Sequence, residues 1–265
     1  MDIKHTLDKL WLNYSAITPS ASSINSLFES RGEQVKNDHI AFRTFNDPRV
    51  NIKKLASPFM RLGYEPKQEY YFEEKKLNAR HYEHPEEGLP KIFISELMLE
   101  KCTPTLQATV LHLLNSLSPG DLTEDLIFSG RLWDKPFLDT YEQLREESEY
   151  AAWLYLYGFV VNHFTVDVNA LNGFTSIEQV NDFLKDNGFK LNASGGEVKG
   201  KPSDLLQQSS TLADKIHYDF HEGEYEVPGC YYEFAMRYEK NGKLFNGFIT
   251  SSADKIFEST NGYPI

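Results

Sequence analysis

The first thirty residues place apolar side chains at helical intervals. Leu7, Leu10, Trp11 and Tyr14 mark one segment, and Ile24, Leu27 and Phe28 mark a second that opens near Thr18-Pro19. Spacings of three and four residues put side chains on one helix face, so residues 1–30 predict a helical pair. The period then changes. Asp38–Phe45 alternates as a strand, Val50–Leu62 returns to the helical period, and Gly63 ends it. Three strand-like runs follow at Tyr64–Phe72, Leu77–His84 and Lys91–Leu99.

A helical block comes next. Leu106, Val110, Leu113, Leu114 and Leu117 form one stripe; Phe137, Leu138, Tyr141, Leu144, Ala151, Ala152 and Tyr155 form another, ending at Gly158. The earlier pattern then returns, with a strand at Phe159–Val168, a helix at Ser176–Asn187 stopped by Gly188, and strand-like runs at Gly196–Lys199, Thr211–Phe220 and Val227–Tyr238. Strand–helix–three strands thus occurs twice, at 36–100 and 158–262, around a helical insertion at 103–157. The repeat is one of element order, not of residue identity. The expectation is a single α+β domain over 1–265, with two such modules side by side in a partly closed sheet around a cleft. The first strand of each module is then the natural source of inward-facing ligands.

Composition narrows the class. A 265-residue chain with 40% hydrophobic and 25% charged residues is neither disordered nor fibrous. Its 14% aromatic content suits a strand-rich core. With 27 basic against 39 acidic residues the formal net charge is −12, a field that repels nucleic acid and anionic membranes. Neither is expected as a partner, whereas a small anion remains compatible if its pocket concentrates positive charge. The longest strongly apolar run, Ala151–Val161, is far shorter than the ~18–20 residues of a membrane span. The N-terminus has no cleavable apolar core, and Cys102 and Cys230 cannot build a disulfide framework, so a cytoplasmic location is the default.

Most of the eight histidines read as surface groups: His5 and His112 on helix surfaces, and His81, His84, His217 and His221 in charged, hydrated strand ends or turns. His39 and His163 differ because each lies in the opening strand of its module. In DHIAFRTF, His39, Ala41, Arg43 and Phe45 share one strand face; in VVNHFTVDV, Val161, His163, Thr165 and Asp167 do. Taken singly, each histidine is more readily a core imidazole bonded to a backbone carbonyl. Glu233, in GCYYEFAMRY, shares a face with Tyr231, Ala235 and Arg237, where a carboxylate is expensive unless set against a cation. Its bland reading is an edge Glu paired with a nearby Lys or Arg. Two histidines and one carboxylate match a non-heme Fe(II) ligand set with open positions, and Zn(II), Mn(II) or Ni(II) accept the same ligands.

Arg43 lies four residues beyond His39, about 13 Å along a strand at ~3.3 Å per residue. Its fork suits a carboxylate whose molecule reaches the metal with its other end, which favours a dicarboxylate; the bland reading is a salt bridge to Asp38 or Asp47. Glu96 is a possible fourth ligand or supporting group, with an internally paired Glu as the safer reading. No dinucleotide fingerprint, phosphate loop or nucleophile elbow is present, and the stretch at 192–204 reads as a loop or edge hairpin.

DHIAFRTF, VNHFTVDVN, GCYYEFAMR and the closing GFITSSADKIFES together resemble the 2-oxoadipate dioxygenase/decarboxylase family, distant kin of the vicinal oxygen chelate proteins. The last two segments are also similar to the carboxylate-bearing strand and C-terminal end of 4-hydroxyphenylpyruvate dioxygenase. The resemblance runs from about residue 30 to 262, and the chain is shorter than bacterial members, with a compact stretch between Glu233 and Gly247. It implies Fe(II) held by His39, His163 and Glu233, substrate gripped by Arg43, and Ser251 near the substrate. The implied reaction takes a 2-oxo dicarboxylate and O2, with 2-oxoadipate giving 2-hydroxyglutarate and CO2. The alternatives are a non-redox divalent-metal lyase, isomerase or hydrolase, and a module that only binds a small acid.

Overall fold

The computed structural model describes residues 2–249. Helices α1 (Ile3–Ala16) and α2 (Pro19–Ser30) open the chain, and the Asp2 side chain caps α1 by accepting the His5 N–H at 2.9 Å. The first module follows as β1 (Asn37–Phe45), α3 (Ile52–Arg61), β2 (Glu65–Phe72), β3 (Leu77–Glu83) and β4 (Lys91–Leu97). Helices α4 (Pro104–Asn115), α5 (Leu138–Glu147) and α6 (Glu149–Tyr157) form the central helical block. The chain continues through β5 (Val161–Asp167), α7 (Ile177–Asp186), β6 (Leu206–Ser210), β7 (Lys215–Phe220), β8 (Gly223–Pro228) and β9 (Glu233–Arg237).

Seven strands form one mixed sheet in the order β2-β3-β4-β1-β5-β9-β6, curled into a half-barrel. In each half the first strand runs parallel to the last, β1 beside β4 and β5 beside β9. The halves join through the antiparallel β1·β5 pair, so both opening strands meet at the centre of the sheet. One face is sealed by the N-terminal helices and α3: Phe164 packs on Trp11 and Tyr14, Phe234 on Phe28, and Phe42 on Phe59. Aromatic burial on that side anchors the sheet and leaves the opposite face for polar side chains.

The second half departs from the expected strand pattern. Of Thr211–Phe220 only Lys215–Phe220 is strand, and it pairs with β8 in a hairpin outside the main sheet. The run Val227–Tyr238 breaks between Pro228 and Glu233, where the chain crosses from hairpin to sheet. Gly229 sits so close there that a Cβ would come within 2.7 Å of the Ile216 side chain. Gly196–Lys199 supplies one bridge, Lys199 to Gln208, in place of a strand. β6 had no apolar alternation to announce it, because its side chains are buried through polar contacts: Gln208 with Glu233, and Ser209 with Asn181. The stripe from Phe137 to Tyr155 is two helices, divided at Ser148, whose hydroxyl accepts the Ala151 N–H at the head of α6.

Candidate metal centre

Strand register explains how residues far apart in the chain converge. His39 on β1 lies opposite Thr165 on β5, and Thr165 lies opposite Glu233 on β9. His163 is two residues from Thr165 on the same face, opposite Ala41. The His39, His163 and Glu233 side chains are all buried, and one ligand atom from each lies within 4.8 Å of the others. His39 Nε2 is 3.5 Å from Glu233 Oε1, and His163 Nε2 is 3.3 Å from Glu233 Oε2. The bland readings, two separately satisfied core histidines and an edge Glu, do not describe this cluster.

The surrounding groups fix both imidazoles in one tautomer. His39 Nδ1 lies 2.8 Å from Asp38 Oδ1, and His163 Nδ1 lies 2.9 Å from Asn162 Oδ1. Both partners are acceptors, so each Nδ1 carries the proton and each Nε2 presents a lone pair to the centre. The Thr165 hydroxyl is 3.1 Å from His39 Nε2, and the Gln208 amide donates to Glu233 Oε1 at 2.6 Å. Glu233 Oε2 is buried with no hydrogen-bond partner. Burial pushes the Glu233 carboxyl upward in pKa, opposed by His39, while burial together with His39 and Arg43 pushes the His163 imidazole well down. Three lone-pair donors, one of them an orphaned carboxylate oxygen, fit a bound divalent cation.

Asp38 is itself braced. Burial raises its carboxyl, but the Arg237 guanidinium and the His39 hydrogen bond hold it well below the usual carboxylate range. Arg237 Nε and Nη2 reach the two Asp38 oxygens at 2.6 and 2.9 Å. Two rings line the imidazoles, Phe248 edge-on to His39 at 4.9 Å and Tyr231 stacked on His163 at 4.8 Å.

Arg43 is buried on the same sheet face, its guanidinium over the rings of Tyr150 (5.0 Å) and Trp153 (5.3 Å) of α6. The salt-bridge partners considered for it are engaged elsewhere, Asp38 with Arg237 and Asp47 with Arg49. Arg43 also lines a cavity of about 260 Å³ with Lys75, Lys76, Arg145, Glu149 and Tyr150. Glu96 pairs in register with Thr44, on the opposite face from Arg43, and its carboxylate accepts the Ile52 N–H at the start of α3. It stands apart from the triad as an internally satisfied group. Ser251 lies outside the described residues.

His81 corrects the surface reading: it is 2% exposed, with Nδ1 2.9 Å from the Tyr70 hydroxyl, Nε2 2.9 Å from Glu83, and Phe248 against its ring. His217 is exposed beside Glu224, and His221 stacks on Phe137. Sequence reasoning missed Asp38, Asn162, Gln208 and Phe248. A polar residue directly before each key histidine was the available signal, but simple alternation assigned it to the wrong face.

Fold and site together define an α+β protein with a buried two-histidine, one-carboxylate centre on the face of a mixed sheet opposite the N-terminal helices. Residues 12–242 match the 2-oxoadipate dioxygenase/decarboxylase family, and the chain belongs to that family. A rice (Oryza sativa subsp. japonica) relative named 2-oxoadipate dioxygenase/decarboxylase, chloroplastic/amyloplastic, is 38% identical over 94% of this chain and 76% of its own length. The crystal structure of a rice hydroxyglutarate synthase in complex with 2-oxoadipate superposes with a TM-score of 0.89 at 35% identity, covering 97% of this chain and 91% of that one. A Shewanella frigidimarina NCIMB 400 structure, provisionally called a hydrolase, gives a TM-score of 0.89 at 47% identity over 94% of this chain and 98% of that one. For fold alone, a Ralstonia eutropha JMP134 protein provisionally placed in the glyoxalase superfamily has a TM-score of 0.69 at 22% identity, covering 90% of this chain and 83% of that one. No helix among the described residues is long and apolar enough to cross a membrane.

Proposed function

We propose that this chain is an Fe(II)-dependent dioxygenase that converts 2-oxoadipate and O2 into 2-hydroxyglutarate and CO2. One observation carries the reading: the His39, His163 and Glu233 ligand atoms gather in a buried cluster with an orphaned carboxylate oxygen, in a chain of the family named for that reaction. His39, His163 and Glu233 hold the iron, which when bound activates O2 and accepts the 2-oxo acid.

The protein's part is positional. Asp38 and Asn162 hold the imidazoles with Nε2 inward, and the Gln208 amide fixes one oxygen of Glu233. Arg43 receives the distal carboxylate of the substrate, its planar fork lying over the Tyr150 and Trp153 rings. Phe248 and Tyr231 exclude water from the imidazoles. The six-carbon oxo acid gains both atoms of O2, loses one CO2 and keeps all its hydrogens in the five-carbon hydroxy acid. No net proton is consumed. We read residues 1–265 as one domain, and the two free buried cysteines fit a reducing compartment such as the cytoplasm.

The test is anaerobic loading with Fe(II), then addition of 2-oxoadipate and oxygen. Oxygen uptake matched by CO2 and 2-hydroxyglutarate supports the reading. Turnover without oxygen selects the lyase, isomerase or hydrolase alternative, and binding without turnover selects a small-acid module. His163→Ala should lose tight iron binding; a variant that keeps full iron occupancy refutes its role as a ligand.

A further inference from the structure

One guanidinium touches two parts of the site that the proposed chemistry treats separately. Arg237, 4% exposed at the end of β9, grips both oxygens of Asp38, the carboxylate that holds His39. Its Nη1 also donates to the Phe245 carbonyl at 2.9 Å and the Gly247 carbonyl at 2.8 Å. Those carbonyls precede Phe248, whose ring lies against His39 at 4.9 Å, Phe93 at 4.8 Å and His81 at 5.4 Å. The Phe248 N–H in turn reaches the Tyr70 hydroxyl at 3.1 Å. Asn169 fixes the Arg237 backbone from both sides, accepting its N–H at 2.8 Å and donating to its carbonyl at 2.9 Å.

We propose that Arg237 is a positioning residue that couples occupancy of the metal centre to closure of residues 245–249 over His39. The inference rests on the metal reading of the triad. A metal on His39 Nε2 fixes the ring and strengthens the Nδ1–H bond to Asp38. Asp38 orients the guanidinium, and the guanidinium holds the two carbonyls that present Phe248. The coupling is reciprocal: a closed segment presents a better-ordered His39 to the metal, and a bound metal holds the segment closed. The planar fork is essential, because Arg237 serves the carboxylate along one edge and the carbonyls from Nη1. A lysine ammonium keeps the charge but cannot span both sets.

The experiment uses the full chain, made metal-free and titrated with Zn(II) as a redox-inert probe. Zinc affinity is read by competition with a chromophoric chelator, and amide exchange by mass spectrometry. In the unsubstituted protein, zinc should slow exchange at 245–249 by about fivefold or more beyond any change at the control helix 104–115. Arg237→Lys and Arg237→Gln should bind zinc about 10–100-fold more weakly, and at saturating zinc should show no such extra protection. A merely structural role would raise exchange across the fold and leave the zinc-dependent difference in place. Zinc binding to the unsubstituted protein without protection of 245–249 overturns the coupling alone, and that arm needs no folded variant. An Arg237→Lys protein with unchanged affinity and protection overturns it too. Failure of the unsubstituted chain to bind zinc overturns the metal reading and the coupling with it.

Discussion

Replacing Glu233 by Gln should strengthen the metal-free fold while removing metal binding. The carboxylate is 1% exposed, its Oε1 is satisfied by Gln208, and its Oε2 lies 3.3 Å from His163 Nε2 with no hydrogen-bond partner. A glutamine keeps an oxygen for Gln208 and directs an N–H at His163. Leaving a buried acceptor unmet costs roughly 1–3 kcal/mol. At ~2–4 °C per kcal/mol for a chain of this size, metal-free Glu233→Gln should melt about 2–12 °C above the metal-free parent at pH 8. The parent should gain about 2.7 kcal/mol when the metal stands at a hundred times its Kd. The variant should gain nothing measurable, because an amide oxygen replaces the only anionic ligand. Paired thermal melts with and without Zn(II), checked by metal content, give all four values. A metal-free variant less stable than its parent, or one still raised by zinc, would refute the view that this carboxylate is held in place for a cation.

Arg43→Lys should raise the KM for 2-oxoadipate about tenfold, the loss of ~1.4 kcal/mol when a fork becomes a point charge, with less effect on kcat; equal changes for mono- and dicarboxylic 2-oxo acids would show that Arg43 does not grip the distal carboxylate. His81 gives a pH prediction: burial lowers its pKa from 6.5, and as the neutral ring it accepts from Tyr70 and donates to Glu83. Its contribution to stability is complete above pH 6.5 and is lost as pH falls from there through the depressed folded value, at up to ~1.4 kcal/mol per pH unit. Urea unfolding at pH 7.5 and 5.0 should therefore show a smaller acid loss for His81→Gln than for the parent, and equal losses would count against a buried neutral ring.

Where period and chemistry agreed, the chain was readable. The apolar spacing of Leu10 and Tyr14, the alternation onward from His39 and from His163, and a lone carboxylate in an aromatic strand each mapped onto one element and one face. Reading failed where polar groups took over the role of apolar ones. The LQQSS of β6 is buried because its neighbours supply hydrogen bonds, a fact that belongs to Glu233 and Asn181 and not to the local pattern. His81 looked hydrated beside Arg80 and Glu83 along the chain, yet the hydroxyl that lets it be buried comes from Tyr70 on the next strand. The hairpin β7·β8 alternates like any other, and nothing in its own residues says that the crossing at Gly229 takes it off the main sheet.

The deepest failure of simple alternation is also what builds the centre. Between β1 and β5 the register slips twice: Asn37 faces Val166 and His39 faces Thr165, leaving Asp38 over; Ala41 faces His163 and Phe42 faces Val161, leaving Asn162 over. A bulge re-aims a side chain that alternation would send to the other face. Each bulge here sits one residue before a histidine and turns an oxygen onto that histidine's Nδ1. The two modules therefore repeat one device, although their residues do not repeat. The supporting oxygens differ for an electrostatic reason. Asp38 is charged and buried, and is tolerable because Arg237 meets both its oxygens. Asn162 needs no counter-ion, and the cation whose field reaches His163 is Arg43. A second carboxylate at 162 would be a further buried charge without the two-point guanidinium contact that Arg237 gives Asp38. An amide there orients the imidazole without adding a second buried negative charge.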